Sequence, residues 1–134
     1  MKLLSVLLYL LFPLAVAAAG MENFAGEWAD KNFHGNSVFQ LSLEQKGAEV
    51  SVFFSANRQD GGGAAPEADG KGKVSDGKVQ FNWSDSFNNS GTGTIRKSGA
   101  DVIVSIKPIQ VVDSRCLMFY GDNIRLKPAG KGAR

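Results

Sequence analysis

Apolar and polar side chains alternate one by one along much of this chain, and that period of two constrains its fold more than any other feature. Phe39, Leu41 and Leu43 alternate with Gln40, Ser42 and Glu44. Val50, Val52 and Phe54 alternate with Ser51, Phe53 and Ser55, and Val79, Phe81 and Trp83 with Lys78, Gln80, Asn82 and Ser84. Val102, Val104 and Ile106 alternate in the same way with Asp101, Ile103, Ser105 and Lys107. Successive side chains of a strand point to opposite faces, so each segment buries one set and wets the other. No stretch of ten or more residues after the leader carries apolar side chains at helical spacing.

Turn residues sit where such strands must reverse. Asp76-Gly77 is a two-residue hairpin signal, because both positions tolerate a positive φ. Lys46-Gly47-Ala48-Glu49 and Ser98-Gly99-Ala100 mark two further reversals, and Gly121-Asp122-Asn123 separates Leu117–Tyr120 from Ile124–Lys127. With Phe24–Ala29 at the start, the pattern predicts an all-β domain: a single antiparallel meander of about eight strands. A meander of that length avoids open edges by closing into a small barrel or a curled sandwich. Longer connections are expected at 30–36, 57–70, 85–90 and 108–115. Binding groups concentrate on such loops when a rigid scaffold carries them.

The start of the chain has a different character. Met1-Lys2 precedes an apolar run from Leu3 to Leu14, followed by the small residues Ala15-Val16-Ala17-Ala18-Ala19-Gly20. A positive end, a short apolar core and small side chains at −3 and −1 define a secretory signal peptide, here residues 1–19. The run is shorter than the roughly 20 apolar residues a spanning helix needs, so no membrane insertion is expected after cleavage. No Cys lies near the cleavage site to accept a lipid. Residues 20–128 form the expected β-domain, and 129–134 (Ala-Gly-Lys-Gly-Ala-Arg) read as a frayed tail.

Roughly 115 residues after the leader suffice for one domain with one modest core. Without Lys2 the formal charge of +2 falls to +1, which gives no electrostatic case for binding nucleic acid. The one cysteine, Cys116, cannot form an intramolecular disulfide. Small exported eukaryotic domains are usually rich in disulfides, so the expected setting is a periplasm, or secretion as a soluble protein. In that setting the sequons Asn82-Trp83-Ser84 and Asn88-Asn89-Ser90 carry no glycan.

Candidate chemistry is sparse. His34, the single histidine, stands in Asn32-Phe33-His34-Gly35-Asn36 with no nucleophile motif to join it to Ser86, Asp30 or Cys116, and reads as a loop residue. Cys116 follows Arg115 but opens the apolar stretch Cys116–Tyr120, and reads as a small buried hydrophobe. Neither residue completes a zinc site. Asp60, Glu67 and Asp69 flank Gly61-Gly62-Gly63 without the spacing of a calcium loop or a glycosidase pair, and read as solvated charges. No catalytic residue, metal or cofactor is therefore expected. The segment Phe81–Thr94 offers more: aromatic residues end a strand, a polar turn follows, and glycines permit close backbone approach. Trp83, Asp85, Phe87 and Asn88 are its candidate ligand-binding residues, although Trp83 also suits simple packing.

Phe24-Ala25-Gly26-Glu27-Trp28 places a Gly-x-Trp at the start of the first strand. Together with the eight-strand meander, this resembles the calycin barrels, the lipocalins and avidins. The resemblance implies structural roles for Gly26 and Trp28, with the Trp closing one end of the barrel. It carries over no ligand. The chain has no room for the C-terminal helix of lipocalins, and besides Trp28 it has only Trp83 where avidins line their pocket with several Trp. The Gly26-x-Trp28 pair, the 41–47 hairpin and Phe81–Gly93 also resemble a loose group of small exported Gram-negative proteins without established activity.

Two functions fit these features. One is a non-enzymatic barrel for a small apolar or amphipathic ligand, with an open cavity lined by some of Phe39, Phe54, Phe81 and Trp83. The other is a periplasmic inhibitor or immunity protein that binds a hydrolase or toxin through the loops 57–70 and 85–90.

Overall fold

A computed structural model describes residues 21–130; the leader, residues 1–19, and most of the tail, 131–134, lie outside the described residues. Eight strands follow one another as an antiparallel meander and close into a barrel. They are β1 (Gly26–Phe33), β2 (Ser37–Lys46), β3 (Glu49–Arg58), β4 (Glu67–Ser75), β5 (Lys78–Asp85), β6 (Ser90–Ser98), β7 (Asp101–Gln110) and β8 (Ile124–Pro128). Each pairs with its neighbour in sequence, and β8 returns to β1 through Trp28↔Pro128 and Ala29↔Lys127. Beyond β8, the Ala129 N–H still donates to the Glu27 carbonyl at 2.9 Å.

The alternation works as expected except at Ile103, which falls in the wetter set but is 5% exposed. Leu41, Leu43, Val50, Val52, Phe54, Val79, Phe81, Trp83, Val102, Val104 and Ile106 all point inward and are buried. Asp76 and Gly77 both have positive φ, 54° and 74°, as the expected tight turn between β4 and β5 requires.

Two of the expected elements change identity. The loop expected over 57–70 ends earlier, because β4 begins at Glu67. Its period of two is present, but the inward positions are Ala68, Gly70, Gly72 and Val74, so glycines replace half of the apolar signal. The glycines are required by space. Gly70 lies across from Trp83 and Gly72 across from Phe81, and a Cβ on Gly70 would stand 1.8 Å from the Asn82 carbonyl oxygen. In the other direction, Leu117–Tyr120 is no strand. Ser114–Phe119 forms a short 3-10 helix, η1, whose first turn is capped by the Asp113 carboxylate accepting from the Arg115 N–H. The total of eight strands stands with this exchange of members.

Topology also decides where the connections go. In a closed meander the first, third, fifth and seventh connections share one end. The turns 47–48, 76–77 and 99–100 therefore close one end, hereafter the turn end. The connections 34–36, 59–66, 86–89 and 111–123 gather at the other, the loop end.

The core follows the same division. Toward the turn end it is largely aliphatic, with Leu43, Val50, Val79, Ile95 and Val102 buried. Phe24 is fully buried there, and Lys97 Nζ lies 5.7 Å from the ring centres of both Phe24 and Trp28. The Trp28 ring covers Gly26, which has a φ of 150° and would bring a Cβ within 2.9 Å of that ring. Toward the loop end the core is aromatic. Phe39 stacks on Phe54 at 5.8 Å, and Phe54 meets Trp83 at 5.6 Å and Tyr120 at 6.0 Å, both edge-on.

Candidate functional site

The polar turn after β5 and the long connection after β7 meet at the loop end. Asp85, at the end of β5, is 8% exposed and holds the turn in shape. Its Oδ1 accepts from the Phe87 N–H at 2.8 Å and the Asn89 N–H at 2.9 Å, an Asx-type turn. Its Oδ2 accepts from the Asn89 amide at 3.0 Å and the Tyr120 hydroxyl at 2.5 Å. Asn88 takes the αL position of this turn, φ 67°, and points to solvent.

Asn89 carries the connection across to the neighbouring segment. It is wholly buried, and its side chain uses both its donors and its acceptor. Nδ2 donates to Asp85 and, at 3.2 Å, to the Asp113 carbonyl. Oδ1 accepts from the backbone N–H groups of Val112 at 2.7 Å and Asp113 at 2.9 Å. One side chain thus supplies strand-like hydrogen bonds to a segment that has left the sheet.

The groups around this network are held in fixed protonation states. Burial, then the hydrogen bond to Asp85 and its negative charge, push the Tyr120 hydroxyl far above the usual tyrosine range. Burial, with the charges of Asp85 and Asp113, pushes the Cys116 thiol up to about 11. Cys116 is therefore a protonated core residue at neutral pH. Outside the network, the Arg115 guanidinium bonds the Asp113 carboxylate at 2.6 Å and holds it below the usual carboxylate range. Arg115 also lies over Phe87, 5.7 Å from the ring centre.

The segment fixed by Asn89 presents an apolar surface. The β6–β7 ladder slips by one residue after Gly91↔Pro108, so that Ser90 faces Gln110 and Ile109 is left as a bulge. Pro108, which has no N–H to offer a ladder, falls at this irregularity. Ile109 is 68% exposed and Val112 61% exposed. Val111, Leu117 and Met118, on the same connection, are exposed too, while Cys116 and Phe119 are the buried residues of η1. These exposed residues were not among the sequence candidates. The available signal was the run Ile109-Gln110-Val111-Val112, which carries apolar residues past a proline at the end of an alternating strand, where a ladder becomes irregular.

The four sequence candidates gather here but face different ways. Trp83 is buried, and its indole N–H donates to the Thr92 carbonyl at 2.8 Å. Asp85 is occupied by the turn and by Tyr120. Phe87 is half-buried under Arg115, and Asn88 alone is fully accessible. Phe39, Phe54, Phe81 and Trp83 are at most 3% exposed and touch one another through Phe54. Their rings occupy the space in which a small ligand was expected.

The remaining candidates stand apart. His34 is exposed in the β1–β2 turn with φ 55°, its ring tilted against that of Phe33 with centres 3.9 Å apart. Ser86 Oγ accepts from the Glu67 N–H at 3.1 Å. Asp60 pairs with Arg58 at 2.7 Å, and Glu67 and Asp69 are exposed on β4. Among the described residues no group of His, Cys, Asp and Glu could hold a metal ion, and no helix is long and apolar enough to cross a membrane. No protein-family model, no curated protein and no solved structure matches this chain.

Proposed function

We propose that this protein is a non-enzymatic binding barrel that docks a protein partner through its loop end after export, as an inhibitor or immunity protein does with a hydrolase or toxin. The observation that carries this reading is the exposed apolar surface of Ile109, Val111, Val112, Leu117 and Met118, supported from below by the Asn89 network. Burying one such side chain against a partner contributes about 1.5–3 kcal/mol. Because the segment is already tied to the barrel, docking spends little further ordering entropy on it. Clustered exposed apolar side chains on a small domain mark interaction sites more often than chance exposure.

The filled aromatic interior favours this reading over a ligand inside the barrel. The test is to immobilise the wild-type protein and a Leu117→Ser/Met118→Ser variant, expose both to periplasmic and host extracts, and identify what each retains. A retained hydrolase or toxin is then assayed with purified barrel. The expected result is capture and inhibition by the wild type, and at least tenfold weaker binding by the variant. Equal capture by both proteins, or no hydrolase or toxin in either, defeats the reading.

A further inference from the structure

A second surface lies on the barrel wall. The outer faces of β4 to β7 form an open groove of about 990 Å³. Its chemistry is ordered across the strands. Lys71 and Lys73 stand on β4 at one side and Lys107 on β7 at the other. Between them β5 and β6 present Gln80, Asn82, Thr92 and Thr94, all uncharged hydrogen-bonding side chains. Gly72 and Gly93 lie beneath it in the sheet, with their side-chain directions turned inward toward Phe81.

These polar groups are not used by the fold. Among the described residues, Lys73 pairs with Glu49 at 3.7 Å, while Lys71 and Lys107 have no ion-pair partner. The side chains of Gln80, Asn82, Thr92 and Thr94 make no hydrogen bond to another described residue. Asp122, at the loop-end edge, is the other acidic residue in the lining besides Glu49. Three ammonium groups thus face two carboxylates, and one of those carboxylates is already paired.

We propose that this groove binds an acidic polysaccharide, a chain rich in hydroxyls whose carboxylate or sulfate groups meet the lysine rims while its hydroxyls bond the neutral centre. Amides and hydroxyls that are both donors and acceptors match sugar hydroxyls, and exposed lysines match their acidic groups. Single-stranded nucleic acid is a poorer match. It needs aromatic faces for base stacking, and the one aromatic side chain in the lining, Phe81, is 3% exposed. No large apolar side chain is exposed in the lining, so an apolar peptide finds no side-chain anchor there.

The test is calorimetric titration at low salt with oligogalacturonate and dextran sulfate as probes, and with neutral dextran and a single-stranded oligonucleotide as controls. Three double variants are compared: Lys71→Gln/Lys107→Gln at the rims, Asn82→Ala/Thr94→Ala at the centre, and Lys46→Gln/Lys127→Gln elsewhere. All of these side chains are exposed, so folding is expected to survive. The proposal expects saturable binding of oligogalacturonate or dextran sulfate; whichever binds identifies the acidic group. It expects a tenfold or greater loss in each of the first two variants and less than twofold in the third. The proposal is overturned by an absence of saturable binding, by equal loss in the third variant, by no loss in the central variant, or by tighter binding of the oligonucleotide.

Discussion

At the turn end of the barrel three hairpins reverse within 47–48, 76–77 and 99–100, and an aliphatic core lies beneath Phe24 and Trp28. At the loop end four longer connections meet over an aromatic core, and a buried polar network ties two of them together. The turn end reverses its strands locally, with turn residues adjacent in sequence, although Gln45 also reaches back to Glu22 and Phe24, and Arg125 to Ser98 and Asp101. The loop end obtains its order from side chains that reach 23 to 35 residues along the chain, as Asn89 does to Val112 and Tyr120 to Asp85. An end assembled from distant parts can hold an irregular surface in place, and a two-residue turn cannot. The apolar segment accordingly belongs to the loop end.

The largest expected effect comes from the glycines that admit the aromatic core. Gly70→Ala forces a Cβ to within 1.8 Å of the Asn82 carbonyl oxygen, a backbone atom that cannot rotate away. The variant is expected to lose more than about 4 kcal/mol, or not to fold, as judged by urea unfolding. Gly99→Ala at the turn end has φ 63° but open space around it, and is expected to cost only about 1–2 kcal/mol. Similar losses at the two sites would mean that the two halves of the core are not distinct.

Asn89→Ala separates the ends next. It strips the N–H groups of Val112 and Asp113 of their acceptor and takes one donor from the Asp85 carboxylate. Each buried polar group left unpaired costs about 1–3 kcal/mol, so a loss of roughly 2–4 kcal/mol is expected once water reaches some of them. Hydrogen exchange is expected to accelerate at 111–119 while the turn-end amides keep their protection. Uniform acceleration over the whole barrel would show instead that the loop end has no stability of its own to lose.

This division bears on what could be read from the chain. A period of two is a local property, so β2, β3, β5 and β7 were visible in the alternation of a few residues. β4 was hidden because Gly70 and Gly72 occupy its inward positions, and their absent side chains are explained only by Trp83 and Phe81 on the adjacent strand. Leu117–Tyr120 read as a strand because apolar runs do not reveal their period over so few residues. The turn at Asp85–Asn88 was legible as polar chemistry, since Asp and Asn favour such bends. That Asn89 rather than Asn88 does the bonding was not legible, because its partners lie 23 and 24 residues away.

Tyr120→Phe tests the same network through pH. An unfolded tyrosine ionises near pH 10, and burial beside Asp85 moves the folded hydroxyl well above that. An unfolded cysteine ionises near pH 8.5, whereas Cys116 in the fold does so at about 11. In both cases the unfolded chain releases its proton first as the pH rises. The stabilisation is therefore complete below about pH 8.5 and declines above it, first through Cys116 and then through Tyr120. Tyr120→Phe is expected to cost about 1–2 kcal/mol at pH 7 and to flatten the decline above pH 10. Cys116→Ala flattens the earlier part. A variant pair whose alkaline profile matches the wild type removes these two groups as its cause.

The smallest effect compares two cations in similar positions. Lys97 lies 5.7 Å from the ring centres of Phe24 and Trp28 at the turn end, and Arg115 the same distance from Phe87 at the loop end. Both are exposed, where such contacts contribute about 0.5–1 kcal/mol. Lys97→Gln removes a cation from rings that are already buried, and its cost should stay within that range. Arg115→Gln also removes the partner of Asp113, whose carboxylate caps η1 through the Arg115 backbone N–H, and that bond survives the substitution. Asp113 then returns toward the ordinary carboxylate range. Its lowered value gives the wild type stability that is present above pH 4 and lost as the pH falls further, so this acid dependence should shrink in Arg115→Gln and persist in Lys97→Gln. Thermal melts of both variants at pH 3 and pH 7 measure the difference. If the two acid profiles coincide, the surface charge of the loop end contributes no more to its order than Lys97 does at the turn end, and the distinction between the ends rests on buried groups alone.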